Sequence, residues 1–153
     1  MILARVLHVV AVVIWIGGVA MVTTVIFPTM RRIESGQERA RLFERIEKRF
    51  RPEAQLAWLI VGLSGLYMVY ALDAWARFAS IRYWWMHAMV GLWVIFGLAL
   101  FVFERRIVGT YLERPIASRS AKLTIPGIEV LHWVLLVLSL LVVAAAVAGA
   151  HGW

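Results

Sequence analysis

Cysteine is absent from the 153 residues of this chain. Its absence excludes disulfide bonds, thiolate-bound metal ions, iron–sulfur clusters, covalently attached c-type haem and cysteine nucleophiles. The sequence also lacks a glycine-rich phosphate loop ending in Lys-Ser/Thr and a G-x-S-x-G nucleophile turn. The chemistry that remains depends on histidine, carboxylates, methionine or a bound cofactor.

Acidic residues are scarce as well, with 9 Asp and Glu against 16 Lys and Arg, which gives a formal net charge of +7. Hydrophobic residues make up 63% of the chain, whereas soluble domains are usually about half apolar. This composition indicates a single-domain integral membrane protein. Most basic residues lie in two loops beside apolar segments, which favours anionic lipid and membrane topology over nucleic acid as their explanation.

Long apolar segments predict an all-α, four-helix transmembrane bundle with up-down topology. No formally charged residue occurs from Val6 to Phe27. That run is about 33 Å long as a helix, enough to cross a bilayer. The predicted spans are residues 2–27, 53–72, 83–103 and 126–150.

Residues 31–51, between the first two spans, are dense in charge. Ser35 and Glu38 fit an S-x-x-E capping box at a helix start. We expect an amphipathic helix on the cytoplasmic surface, or an extension of the second span, with Pro52 in the first turn of the next helix.

The distribution of basic residues predicts the orientation. The two long loops hold 13 of the 16 Lys and Arg, and the other side holds 3. By the positive-inside rule both long loops are cytoplasmic and both termini are outside. Small residues at 144–149 of the fourth span offer a face for self-association.

Two histidines are expected to share a height near the outer surface. His8 and His87 lie about 3 and 6 Å from the outer ends of their spans at 1.5 Å per residue. His132 lies about 25 Å below them on the same rise, and His151 is at the outer end of the fourth span. A histidine inside a span is costly without a partner and therefore marks a candidate site.

Imidazoles on two facing helices can hold a b-type haem or, with a third ligand, a copper or zinc ion. Trp15 lies two turns from His8 on the same helical face, and Gly91, one turn from His87, leaves room for a flat macrocycle. The predicted cofactor-binding residues are His8, His87, Trp15, Gly18, Tyr83 and Gly91. The alternative interpretation is that both histidines bond to a backbone carbonyl or a lipid headgroup at the membrane edge.

Two other groups of residues are candidates for metal or proton chemistry. Met86 and Met89 are alternative soft ligands for Cu(I), although packing is the more common role of methionine in apolar spans. Glu129 and His132 form an E-x-x-H pattern, but a di-iron site needs that pattern twice with further carboxylates. We expect a local ion pair, a proton-relay element or a satisfied polar pair at the inner membrane surface.

Several segments resemble small membrane proteins of the copper resistance D (CopD)-like family. They are residues 7–18 (LHVVAVVIWIGG), the Phe-Pro at 27–28, the basic segment ending at 49–50, and residues 83–91 (YWWMHAMVG). The resemblance covers roughly the first two-thirds of the chain. It implies a role in copper passage across the inner membrane.

The chain is also similar to HemJ-type protoporphyrinogen oxidases. That resemblance implies haem binding through a histidine in the first span and a partner in the third, and His8 matches the first position. The third-span partner in that family is a lysine, and this chain has His87 nearby instead. The Leu-Pro-Arg segment that follows the first span there is replaced by residues 27–31 (FPTMR).

These observations lead to three functional expectations. The first is a membrane b-type haem protein that moves electrons from a donor such as quinol to an outer-side acceptor, and thus a membrane oxidoreductase. The second is a copper-handling transport protein. The third is a helical accessory subunit of a membrane complex without a cofactor of its own.

Overall fold

A computed structural model describes residues 1–103 and 125–151. All regular structure in these ranges is helical. The α-helices are α1 (Ile2–Met21), α2 (Phe27–Arg31), α3 (Gly36–Ala71), α4 (Trp84–Leu98) and α5 (Ile125–Ala150). Shorter helical turns are of the π type at Val22–Ile26 and Ala99–Phe103 and of the 3₁₀ type at Trp75–Ala79 and Ile81–Tyr83.

Among the described residues, four helical stretches are long and apolar enough to cross a membrane. They are Ile2–Arg31, Gly36–Ala71, Ile81–Phe101 and Gly127–Ala150. For residues 1–103 and 125–151, the prediction of an all-helical structure with four candidate spans is therefore confirmed. Residues 104–124, which hold nearly all of the second predicted cytoplasmic loop, lie outside the described residues.

A π-helical turn joins α1 to α2 without ending the helix. Pro28 has no N–H for the carbonyl of Thr24, four residues earlier, and its ring crowds that carbonyl. The chain widens at this point, and the Phe27 N–H bonds to the Val22 carbonyl, five residues before it. Such a π turn lets the helix continue past Pro28, which the regular pattern of hydrogen bonds four residues apart cannot accommodate.

The charged segment and the second predicted span form one helix, α3. The Ser35 hydroxyl oxygen accepts a hydrogen bond from the Glu38 N–H at 3.3 Å, as the capping box predicts. The helix then runs through Pro52 to Ala71. The alternative of an extension of the second span is therefore the one observed, and the expectation that Pro52 begins a helix is wrong.

α1 and α3 pack in opposite chain directions along most of their length. His8 bonds to Ser64, Phe50 covers Gly18, and the Phe27 ring stacks near Phe43 with centroids 6.2 Å apart. A Cβ atom at Gly18 would overlap Cζ of Phe50, so only glycine admits the ring. This register places the charged first half of α3 beside the apolar second half of α1.

Two tryptophans, one on α3 and one on α4, join these helices by a pair of hydrogen bonds. The Nε1–H of Trp58 donates to the Trp93 carbonyl at 2.7 Å, and that of Trp93 donates to the Trp58 carbonyl at 2.9 Å. The indole rings stack with centroids 4.3 Å apart and planes 5° from parallel. Gly62 and Gly97 provide the space, since a Cβ at either would lie 2.6 Å from an indole carbon.

The main hydrophobic core joins four helices. Trp15 packs edge-on against Phe96 with ring centroids 4.6 Å apart. The buried core residues are Ala11, Trp15, Val19, Ala57, Val61, Phe96, Leu135 and Leu136. Much of the remaining apolar surface is exposed, as expected for helices that face lipid. At the far end of α5, Gly149 of the predicted self-association stripe lies against Trp85 of α4.

Candidate functional site

His8 is anchored to α3 through one ring nitrogen. Its Nδ1 lies 3.1 Å from the Val61 carbonyl and 3.0 Å from the Ser64 hydroxyl oxygen. The Ser64 hydroxyl donates to the Ile60 carbonyl at 2.5 Å. Because a carbonyl only accepts, the proton lies on Nδ1, and Nε2 carries the lone pair.

Glycine also shapes the surroundings of His8. A Cβ at Gly65 would lie 3.3 Å from Cε1 of the imidazole, so the absence of a side chain lets the ring approach α3 closely. A backbone carbonyl on the Nδ1–H is the arrangement that usually orients a histidine whose Nε2 binds a metal ion. The position is therefore chemically suited to ligation through Nε2.

His87 bonds to a carbonyl through the other ring nitrogen, Nε2. Its Nε2 lies 3.0 Å from the Phe78 carbonyl, and its ring packs edge-on against the Phe78 ring at 5.4 Å. The proton is then on Nε2 and the lone pair on Nδ1. The side chain is exposed at the start of α4. Among the described residues, no hydrogen bond or ring contact joins His87 to His8.

The other predicted pocket residues divide into two groups. Trp15 packs against Phe96, and the Phe50 ring fills the space beside Gly18, so neither residue borders free space for a cofactor there. At Gly91, a Cβ atom would meet no atom of a neighbouring residue within 4 Å, so the space beside it is open.

Tyr83 immediately precedes α4 and lies among aromatic and basic side chains. Its ring meets Trp85 edge-on with centroids 5.4 Å apart, and the Arg77 guanidinium lies 5.4 Å above its centre. Such an amphipathic cluster is typical of a membrane interface.

The described residues contain no cluster of His, Asp and Glu side chains that could hold a metal ion. Within residues 1–103 and 125–151, no three His, Asp or Glu side chains converge. Met86 and Met89 are half-buried on either side of His87 in α4. The copper ligand set therefore stays a prediction from the sequence.

Glu129 and His132 are satisfied separately. The buried carboxylate of Glu129 accepts two hydrogen bonds from Arg31, at 2.7 Å from Nη2 and 3.1 Å from Nε. His132 donates from Nδ1 to the carbonyl of Ile128 at 2.8 Å, and its ring meets the Phe27 ring edge-on at 5.2 Å. The expected local pair between Glu129 and His132 is therefore not formed, and Glu129 pairs instead with Arg31 of α2.

Sequence reasoning missed Ser64 and Arg31 as partners. Ser64 lies 56 residues from His8, and Arg31 lies 98 residues from Glu129. A lone serine in an apolar span and an arginine at a helix end carry no local signal of a distant partner. The residues that could have indicated Ser64 are the neighbouring Gly62 and Gly65, which mark a close helix approach.

Comparison with known proteins gives no relatives. No protein-family model, no curated protein and no solved structure matches the chain. The resemblance to CopD-like and HemJ-type proteins therefore stays a prediction from the sequence.

Proposed function

We propose that this chain is a multi-pass membrane protein that binds b-type haem, whose iron His8 would hold through Nε2. The observation that carries the proposal is the hydrogen bond from Nδ1 of His8 to the Val61 carbonyl. It fixes the tautomer and the ring orientation that a haem-ligating histidine requires. The cofactor would supply one-electron exchange with a membrane donor such as quinol.

The second residue that would hold the haem iron in this proposal is His87. Trp15 touches Phe96, which gives α1 and α4 a common height. His8 precedes Trp15 by seven residues and His87 precedes Phe96 by nine. If both helices run from the outer side inward, the two histidines differ in height by about 3 Å.

Ligation by His87 requires a local rearrangement. Its Nε2–H is engaged by the Phe78 carbonyl, so the ring must turn away from that carbonyl to present a lone pair. The side chain is exposed, and the open space beside Gly91 accommodates such a turn. In the proposed orientation, with both termini outside the bacterial inner membrane, the site faces the outer side.

The absorption spectrum of the purified protein tests this proposal. Protein expressed with excess haem and purified in detergent should show a Soret band that shifts on reduction with dithionite. His8→Ala and His87→Ala should each lose or alter that band. A preparation supplied with haem that remains colourless would refute haem binding.

The matched control is His132→Ala. His132 is also half-buried in a span and also donates from Nδ1 to a carbonyl, but that carbonyl belongs to its own helix. The spectrum of this variant should equal that of the unchanged protein. Loss of the band in all three variants would show that destabilised folding, rather than ligation, removes the haem.

A cofactor-free accessory subunit is the second candidate. The reciprocal Trp58–Trp93 pair fills the space between α3 and α4, which is interior volume that a cofactor in that position would need. This candidate predicts a colourless, metal-free protein that co-purifies with partner subunits. Elemental analysis of the same sample also tests the copper alternative, which predicts stoichiometric copper that Met86→Leu reduces.

A further inference from the structure

The first half of α3 carries an excess of positive charge beside α1. Residues 39–51 contain six Arg and Lys and two Glu. Arg41, Arg45, Lys48 and Arg49 are exposed, and the Arg49 side chain is 86% accessible. Lys48 pairs with Glu44 at 2.8 Å, and Arg49 has only a 3.8 Å contact with the exposed Glu53. Within the described residues, no acidic side chain pairs with Arg45.

An exposed apolar strip on α1 lies at the same height. Phe50 covers Gly18, which fixes the register of the two helices. From that contact, Met21 lies about 4.5 Å further along α1, while Arg49 and Arg45 lie about 1.5 and 7.5 Å along α3 in the same direction. Met21 is 58% exposed, although it stands level with these arginines.

Helical periodicity puts these side chains on the same flank of the α1–α3 pair. Leu7 and Leu63 line one groove between the two helices, together with Tyr67. Eighteen residues make about five helical turns, so Arg45 projects from the same face of α3 as Leu63, and Arg49 from the same face as Tyr67.

The same argument applies to α1. Steps of seven residues repeat about every two turns, so Leu7, Ile14 and Met21 share a face of that helix. Ile14 is 54% exposed and continues the apolar strip between the other two. The flank therefore has an apolar strip along α1, and two arginines of α3 lie at the Met21 end of that strip.

We propose that this flank, formed by Ile14 and Met21 of α1 and Arg45 and Arg49 of α3, binds an anionic phospholipid. The phosphate would lie on the two guanidinium groups, and an acyl chain would follow the apolar strip. Guanidinium groups pair well with phosphate oxygens, and basic residues beside a span attract anionic lipid. The proposal does not depend on haem binding.

The depth of the arginines fits a headgroup. The apolar part of α3 begins at Ala54, about 7.5 Å beyond Arg49 and about 13.5 Å beyond Arg45. The headgroup layer adds roughly 5–7 Å on each side of the hydrocarbon core, so Arg49 falls at its outer limit and Arg45 reaches in with a long side chain. By the same register Ile14 stands level with Ala54, so an acyl chain entering the hydrocarbon core meets Ile14, while Met21 lies beside the headgroup and glycerol part of the lipid. A soluble anion would contact neither apolar side chain.

Native mass spectrometry of the full chain in a neutral detergent tests the proposal. Dioleoyl phosphatidylglycerol and dioleoyl phosphatidylcholine are added separately, and the retained lipid is counted. We expect retention of the anionic lipid over the zwitterionic one. R45Q/R49Q should weaken that retention by about thirtyfold, as expected for two basic residues at an anionic lipid surface.

The matched control is R5Q/R82Q, which removes two charges from exposed arginines at the opposite end of the bundle. It should retain the anionic lipid, and equal loss in both double variants would overturn the proposal in favour of a net-charge effect. M21N should also weaken retention, and glycerol phosphate should not compete. Unchanged retention in M21N, or competition by glycerol phosphate, would show that the arginines bind only the phosphate. Either result would overturn the proposal that the apolar strip takes part in lipid binding.

Discussion

Among the described residues, four glycines are each covered by one aromatic ring of a neighbouring helix. The pairs are Gly18 with Phe50, Gly62 with Trp93, Gly97 with Trp58, and Gly149 with Trp85. In a membrane, helices associate through close van der Waals contact, and a missing side chain is what permits that approach. These contacts couple α1 to α3, α3 to α4 and α4 to α5, and thus link the four candidate spans.

The adjacent glycines Gly17 and Gly18 allow a matched test of this packing. Gly18→Ala forces its Cβ against the Phe50 ring and should destabilise the protein by about 1–3 kcal/mol. Gly17 has no neighbouring atom within 4 Å of a Cβ position. Gly17→Ala should be neutral or stabilising by up to about 1 kcal/mol, because alanine favours helix. Thermal unfolding in detergent measures both.

Recovery of stability identifies the clash. Adding Phe50→Leu to Gly18→Ala should restore part of the lost stability, since the smaller side chain relieves the contact. If Gly17→Ala and Gly18→Ala destabilise equally, the register of α1 against α3 is different from the one described.

Residue patterns revealed the candidate sites only in part. The positions of His8 and His87 near one end of their spans could be read from the sequence. Both histidines bond to backbone carbonyls, which the alternative interpretation of the sequence allowed. Which carbonyls they reach, and the added partner Ser64 of His8, depend on tertiary packing that periodicity does not encode. Gly18 illustrates the same limit, because a glycine beside a histidine face leaves room equally for a cofactor or for Phe50.

At the scale of elements, one ion pair ties α2 to α5. The side chain of Glu129 is 7% exposed, whereas that of Arg31 is 66% exposed. Removing Arg31 therefore leaves a buried carboxylate without a partner, whereas removing Glu129 leaves an exposed guanidinium without one. An uncompensated carboxylate in a buried position costs far more than an unpaired guanidinium in water.

This asymmetry predicts an order of stability. Arg31→Gln should lower the free energy of unfolding by about 3 kcal/mol, because it leaves Glu129 buried without a counter-charge. Glu129→Gln should cost less than about 1 kcal/mol, because Arg31 remains hydrated. Denaturant titration in mixed micelles measures both values. Equal costs, or the reverse order, would contradict the burial of the carboxylate.

Sequence patterns located the helices better than their junctions. The capping box at Ser35 predicted the start of α3, and the apolar runs predicted the four spans. The sequence allows two alternatives at Pro52, because a proline fits both a first helical turn and an interior position with one lost hydrogen bond. The π turn before Pro28 follows from a local conflict that hydrophobic periodicity does not show.

At the scale of the whole molecule, the orientation in the membrane is a prediction from charge. Because the chain has no cysteine, single-cysteine variants can be used without any background substitution. Gln37→Cys lies at the start of α3 and Ala76→Cys in the 3₁₀ turn after it, and both positions are exposed.

Labelling of intact cells with a membrane-impermeant maleimide reads the orientation directly. The positive-inside distribution predicts that Ala76→Cys is labelled, while Gln37→Cys is labelled only after the membrane is opened. The opposite pattern would invert the bundle and place the histidine sites on the cytoplasmic side.

Electron paramagnetic resonance of the oxidised, haem-supplied protein tests the central proposal most directly, because the signal reports the axial ligands of ferric haem. We expect a low-spin ferric signal from two imidazoles in the unchanged protein, a high-spin signal in His87→Ala and loss of the haem signal in His8→Ala. A protein without a haem signal, or a low-spin signal that both variants retain, would contradict ligation by His8 and His87.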